Sequence, residues 1–366
     1  MLQRELFVFA GQSNMMGASV LPPEKPLSLH HSYEYKHKAR RLGAPAGIFT
    51  PAGYPVGEFS YIDVQKAYSR ENVNEKGDST LTNYVENTYF CPSMSNLGNE
   101  TDKSVLPFLS FSESTARHGA TLAPFLAQEW EKLGNRCAYA HIAKGGVAIA
   151  HFFDANMSQE YSKRITAYNQ THGTNYSPVL PTRNTTQGAA EYFFEKCTHF
   201  FEDAHTHFAG ENLTNKCLVW LQGESDAHDP TVVYEIKLTI LWEKLKTLGF
   251  THFFCIRVDY FGTDAIDNVM RAQENFVAKH NDAYMLTRAA SFFTHVEQNA
   301  EERFISPPPE PYQNCRDSFY GYKNHHINEK GFITIAQQSV KNLYRVLIEG
   351  KQPQLEEELI RSLLNL

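Results

Sequence analysis

The chain has 366 residues, of which 42% are hydrophobic and 20% are charged, and its formal net charge is −7. This acidic balance disfavours nucleic acid and membrane surfaces as partners, and no apolar run approaches the roughly 20 residues that a membrane span requires. The six cysteines lack Cys-X-X-Cys spacing, so neither a disulfide framework nor a zinc site is indicated. We therefore expect no metal and no cofactor. The N-terminus lacks the pattern of a signal peptide, which favours a cytoplasmic location.

The first apolar run, residues 6–10, predicts a buried strand that ends in the motif GQSNM at residues 11–15. Gly11 permits a tight turn, and Ser13 then lies at the carboxyl edge of a sheet, where the active sites of open α/β folds form. The first amides of a helix starting there could polarise an oxyanion. Taken alone, the motif is equally typical of an ordinary turn, in which Ser and Asn are common.

Residues 20–115 show little periodicity and contain many Pro, Tyr, Asn and Ser residues. An irregular segment of that length inside a compact domain is typical of a functional insertion or lid. We accordingly predict one domain over residues 1–366, with the 20–115 insertion following its first strand.

From residue 120 onwards, apolar strands and amphipathic helices alternate. The pattern predicts helices at 122–130, 187–208, 230–248, 266–280 and 329–347, and strands at 137–143, 217–221, 253–258 and 283–287. Asp229 and Pro230 are typical of an N-cap followed by the first helical residue. This alternation predicts an α/β fold, a three-layer αβα sandwich around a mainly parallel five-stranded sheet. The amphipathic segment 350–366 is expected to dock on its own domain. A dimer contact through this segment, and therefore a homo-oligomer, stays open.

Polar motifs follow three of these strands and precede the last helix. They are Ser13, Gly145-Gly146, residues 222–226 (QGESD) and His326. The turns of a parallel sheet converge on one edge, which brings a serine, a histidine, a backbone amide and a side-chain amide into one cleft. Acyl transfer requires this combination of groups.

Together, residues 11–15, 144–146 and 220–226 and the pair His326 and Gly331 resemble the SGNH hydrolases, specifically their carbohydrate-esterase and sialate O-acetylesterase branch. The resemblance covers residue 6 to about 348 without the 20–115 insertion. It implies a flavodoxin-like fold. It also implies a serine esterase that removes O-acetyl groups from a sugar or polysaccharide, such as sialic acid or xylan, through an acetyl-serine intermediate.

The resemblance also implies a role for each motif. Ser13 would be the nucleophile, and His326 would take its proton and later protonate the departing sugar. The backbone amides of Ser13 and Gly145, with the side-chain amide of Gln222, would form the oxyanion hole. Gly146 is the second choice for the backbone donor.

Two ambiguities concern the histidine. His325 is a rival to His326, although a histidine followed by a glycine-containing helix start fits the family at His326. Family members commonly carry an aspartate three residues before the histidine, where this chain has Lys323. Glu224 is the favoured substitute because it is predicted at the same edge. Asp317, Asp226 and a Ser–His dyad without an acid are the alternatives.

Two other functions stay open from the sequence. A polysaccharide O-acetyltransferase would use the same Ser–His site, with a sugar hydroxyl resolving the acetyl-enzyme. A non-catalytic carbohydrate-binding relative would keep only the fold. The intact Ser13, Gln222 and His326 disfavour the second of these, whereas Lys323 in place of an acid favours it weakly.

Overall fold

Six parallel strands and one antiparallel edge strand form a seven-stranded sheet. In the computed structural model, the described residues are 2–16, 31–36, 48–51, 121–143, 145–181, 189–258, 266–293, 326–327 and 329–356. The strands are β1 (Glu5–Gly11), β2 (Tyr33–Lys36), β3 (Ile48–Pro51), β4 (Cys137–Ala143), β5 (Lys216–Leu221), β6 (His252–Ile256) and β7 (Ala283–Thr287). Their order across the sheet is β3-β2-β4-β1-β5-β6-β7.

Helices connect and cover these strands. They are α1 (Ser13–Met16), α2 (Leu122–Lys132), α3 (Ala155–His172), α4 (Ala189–His207), α5 (Thr231–Thr247), α6 (Asp267–Lys279), α7 (Ala289–Phe293) and α8 (Glu329–Leu347). Two short 3₁₀ turns span Ile149–Phe152 and Glu224–Asp226. In the described part of the chain, no helix combines the length and apolar character that crossing a membrane demands.

Helices lie on both faces of the sheet, which confirms the predicted three-layer arrangement. Phe7 of β1 contacts Trp130 of α2 with ring centroids 6.1 Å apart, and Trp130 contacts Tyr344 of α8. Successive strand residues alternate between faces, and the sheet register places Phe253 of β6 on the face opposite to Phe7. There Phe253 contacts Phe276 of α6, with centroids 4.9 Å apart.

The five predicted strands are confirmed to within two residues at each end, and the sheet has two further strands. β2 and β3 lie inside the 20–115 segment, for which the sequence predicted no regular structure. β2 pairs parallel to β4, and β3 pairs antiparallel to β2. Their sequences, YEYK and IFTP, are only four residues long each and lack the longer apolar run that marks the other strands.

The start of the C-terminal segment contacts the rest of the fold. Leu355 packs against the core. The buried Glu356 carboxylate accepts hydrogen bonds from the Thr287 hydroxyl and, at 3.4 Å, from the Arg288 amide at the end of β7. The rest of this segment, residues 357–366, lies outside the described residues.

Candidate active site

The sheet register aligns the ends of three adjacent strands. Gly11 of β1 pairs with Ala143 of β4 and with Leu221 of β5. The residues that follow, including Ser13 and Gly145, therefore leave the sheet at the same edge. The pairing of the strands therefore brings the motifs that follow β1, β4 and β5 to one edge of the sheet.

Ser13 opens α1 directly after β1, and it is 8% exposed. The turn that presents it depends on Gly11, whose φ is +155°. A Cβ atom at Gly11 would lie 1.9 Å from the backbone oxygen of Leu221, so only glycine fits against β5 at this point.

A buried histidine holds the other end of α1. His141 of β4 places Nε2 2.8 Å from the backbone oxygen of Met15, which also accepts a hydrogen bond from the Thr121 hydroxyl at 3.3 Å. His141 is only 1% exposed. The sequence does not indicate this role of His141, because nothing in an apolar strand shows that a histidine ring reaches a backbone oxygen of the serine turn.

The loop after β5 is joined to the serine turn by Gln12. Its side-chain Oε1 accepts hydrogen bonds from Gln222 Nε2 at 3.2 Å and from the Ser225 amide at 3.1 Å. Gly223 in this loop has a φ of +154°, and a Cβ there would lie 2.7 Å from Val269 Cγ1. The glycine of the QGESD motif therefore lets the loop lie against α6.

Gln222 is fully buried, and its amide is held from several sides. Its Nε2 lies 2.7 Å from Asp226 Oδ2, 3.1 Å from the Val147 oxygen and 3.2 Å from Gln12 Oε1. The Tyr234 hydroxyl donates to Gln222 Oε1 at 2.6 Å, which sets the amide's orientation. The two N–H groups thus face three acceptors within the protein. Donation to an oxyanion would require Gln222 to release one of them, so that role stays a prediction.

Asp226 is buried and is hydrogen-bonded to two loops of the site. Its Oδ2 accepts from the Ile149 amide at 2.8 Å as well as from Gln222, and its Oδ1 lies 3.2 Å from the Nζ of Lys237. Asp226 therefore connects the segment after β4 to the loop after β5. These contacts favour a structural role for Asp226 over the role of orienting the histidine.

Lys237 is a fully buried lysine of α5 that lies between two carboxylates. Besides Asp226, it contacts Asp229 Oδ2 at 2.5 Å. The predicted N-cap role of Asp229 is wrong: the residue before α5 is Pro230, with no side-chain cap, because the Asp229 side chain points to Lys237 instead. Burial raises the pKa of Asp229 to about 6, and the Asp226 carboxylate adds to this shift although the Lys237 ammonium opposes it.

Asp229 should make the stability of the protein depend on pH. Its folded pKa of about 6 lies above the ordinary value of 3.8, so its protonated form favours the folded state. That contribution is complete below about pH 4 and is lost as the pH rises to about 6. Relative to the Asp229→Asn variant, we expect the wild-type free energy of unfolding to fall by about 2 kcal/mol over this interval. Urea denaturation of both proteins at pH 4, 5, 6 and 7 measures this change in the free energy of unfolding. The same pH dependence in wild type and Asp229→Asn would contradict the raised pKa of Asp229.

Asn14 connects the remaining predicted residues to the serine turn. Its Nδ2 donates to Glu224 Oε1 at 2.9 Å, and its Oδ1 accepts from the Ile327 amide at 3.1 Å. Glu224 and the backbone next to His326 are thus hydrogen-bonded to the residue that follows Ser13. His326 itself is partly exposed.

Some predicted positions lie outside the described residues, namely Lys144, Asp317, Lys323 and His325. Gly145 and Gly146 are described at the end of β4, where Gly145 is half-buried and Gly146 is exposed with a φ of +68°. Across the described ranges, no group of three or more His, Cys, Asp and Glu side chains could hold a metal ion.

Comparison with known proteins gave matches only among solved structures. No family model and no curated protein sequence matches the chain. A protein from Arabidopsis thaliana is 11% identical, with a TM-score of 0.44, over 93% of this chain and 97% of that chain. A carbohydrate acetylesterase from Xanthomonas citri is 12% identical, with a TM-score of 0.44, over 94% of this chain and 57% of that chain. NanS is 12% identical, with a TM-score of 0.47, over 95% and 99% of the two chains.

Proposed function

We propose that the protein is a serine esterase that removes O-acetyl groups from a carbohydrate. The junction at Asn14 carries this proposal, because it brings Glu224 and the segment of His326 to the turn that presents Ser13. A nucleophile, a base and a carboxylate on one sheet edge suit acyl transfer. The resemblance of the motifs to SGNH hydrolases supports an acetylated sugar or polysaccharide as the substrate.

In the proposed reaction, Ser13 attacks the carbonyl carbon of the acetyl ester while His326 accepts the hydroxyl proton. The amides of Ser13 and Gly145, with the side chain of Gln222, donate hydrogen bonds to the resulting oxyanion. The intermediate then collapses, and the sugar leaves as an alcohol that takes the proton from His326. Water, activated by His326, releases acetate from the acetyl-serine. Glu224 orients the imidazole.

Two of the three proposed oxyanion donors, Gly145 and Gln222, lie in loops that are tethered to each other. The segment that begins at Gly145 is fixed through the hydrogen bond from the Ile149 amide to Asp226. Asp226 also accepts from Gln222, so one buried carboxylate holds both loops. A donor held in advance stabilises a developing charge without reorganisation, whereas Gln222 must first release one of its present acceptors. Losing one oxyanion donor typically costs about 10²- to 10³-fold in rate.

The activity can be tested with a panel of O-acetylated substrates, namely sialic acid, xylan and capsular fragments. We expect acetate release from at least one of them, with the deacetylated sugars as blanks. Mass spectrometry of the sugars distinguishes the other functions. Transfer of acetyl groups to a sugar acceptor without acetate release would indicate an O-acetyltransferase. Unchanged substrates throughout, together with intact p-nitrophenyl acetate, would contradict catalysis and favour a carbohydrate-binding relative.

A further inference from the structure

Asn14 is a buried polar residue beside Ser13 to which the proposed reaction assigns no role. It is fully buried. Its side-chain amide donates to Glu224 and accepts from the Ile327 amide, and these partners lie 210 and 313 positions further along the chain. Both partners belong to loops of the candidate site, one after β5 and one before α8.

The orientation of the Asn14 amide is fixed by the chemistry of its partners. Glu224 offers a carboxylate oxygen, which can only accept from the NH₂ group, and Ile327 offers a backbone N–H, which can only donate to the carbonyl oxygen. A flipped amide would place two acceptors together and two donors together. These two contacts therefore fix a single orientation of the Asn14 amide.

The contact of Asn14 to Ile327 holds the backbone directly after His326. Ile327 is fully buried and belongs to the hydrophobic core, whereas the preceding His326 is partly exposed. The hydrogen bond to Asn14 therefore fixes the position of the backbone at residues 326 and 327 relative to the serine turn. The same side chain donates to the carboxylate of Glu224. One amide therefore contacts both the backbone next to His326 and the carboxylate that is proposed to orient the imidazole.

We propose that Asn14 is a positioning residue that sets the place of His326 relative to Ser13. It acts through the Ile327 backbone and the Glu224 carboxylate and does not touch the substrate. This inference rests on the proposed function, in which His326 is the base. A displacement of about 1 Å in such a constellation can cost about 10²-fold in rate.

Asn342 provides a matched control for the purely structural effect of removing a buried asparagine. It is also buried, and its amide likewise joins two segments, since it donates to the Leu286 oxygen and accepts from the Gln354 amide at 2.7 Å each. It has no contact with the proposed catalytic residues among these bonds. The variants Asn14→Ala and Asn342→Ala should therefore lose comparable stability and differ only in their effect on the site.

The first readout is the NMR resonance of the His326 ring at fixed pH, identified by its loss in His326→Gln. We expect Asn14→Ala to move this resonance and Asn342→Ala to leave it in place. If Asn14→Ala does not fold, Asn14→Asp keeps the shape and the acceptor for Ile327 but opposes a carboxylate to Glu224, and should move the resonance too. An unmoved His326 resonance in the folded Asn14 variant overturns the inference, whether or not the protein is an esterase.

The second readout is the kinetics of acetate release at a temperature at which both alanine variants are folded. For Asn14→Ala we expect kcat to fall about 10- to 100-fold with KM within about twofold of wild type. Asn342→Ala should keep the wild-type kcat. Equal losses in both variants, or a moved resonance with an unchanged kcat, would overturn the inference. If wild type itself releases no acetate, the proposed function fails, while the ring resonance still decides whether Asn14 positions His326.

Discussion

The Ser13→Ala variant is expected to lose about 10⁴- to 10⁶-fold in kcat for acetate release. The substitution removes only the hydroxyl that would form the acetyl-enzyme, and alanine preserves the turn at Gly11 and the start of α1. Because the base acts on this one hydroxyl and the oxyanion donors surround the carbonyl group that it attacks, no other group of the site can replace it. Initial rates with the best substrate of the acetylated panel measure the effect.

Ser225→Ala is the appropriate comparison for Ser13→Ala. Ser225 is the exposed serine of the QGESD motif, and its contact with Gln12 uses the backbone amide, which the substitution keeps. We expect Ser225→Ala to retain nearly wild-type rates. A Ser13→Ala variant as active as wild type would show that Ser13 is not the nucleophile, and a selective loss in Ser225→Ala would move that role to Ser225.

The Lys237→Met variant is expected to lose about 3–5 kcal/mol of folding free energy. Methionine removes the ammonium and leaves the buried Asp226 carboxylate facing Asp229 without a cation. An uncompensated charge in a buried position is costly because neither water nor an opposite charge stabilises it. Urea denaturation at pH 7 measures the loss.

Lys279→Met serves as the exposed control for Lys237→Met. Lys279 lies on the adjacent helix α6, is paired with Glu235 and has a side chain that is 64% exposed. Such surface pairs contribute about 0–1 kcal/mol. If Lys237→Met does not fold, the double variant Asp226→Asn with Lys237→Met can be used. It removes the charges of Asp226 and Lys237 together and should fold better than Lys237→Met. Equal stability of wild type and Lys237→Met would contradict the importance of the buried pair.

The sequence predicts the strands β1, β4, β5, β6 and β7 because each is a short apolar run between turns. It does not predict α3, whose buried face consists only of Met157, Tyr161 and Ile165. These residues are four apart and form a narrow stripe among polar residues, too weak to give a helical pattern. The strands β2 and β3 were missed for a different reason. β2 is defined by its pairing with β4, which is distant in the chain, and β3 is defined by its pairing with β2.

The sequence motifs locate the candidate site, whereas the contacts within it need the structure. GQSNM and QGESD indicate the same edge of the sheet, because both follow strands that pair in register. The hydrogen bonds of Asn14 to Glu224 and Ile327 span 210 and 313 residues, and no local pattern encodes them. Lys237 is a second case, because only the structure shows that this lysine is buried and that the carboxylates of Asp226 and Asp229 contact it.

Labelling with a serine-directed phosphonate tests the central claim, that Ser13 is an activated nucleophile, most directly. We expect one equivalent of label per chain, located on Ser13 by peptide mass spectrometry, absent in Ser13→Ala and slowed by an acetylated substrate. Activation by His326 further predicts much slower labelling in His326→Gln. A protein that takes up no label, or takes it up at another serine such as Ser225, would contradict this account.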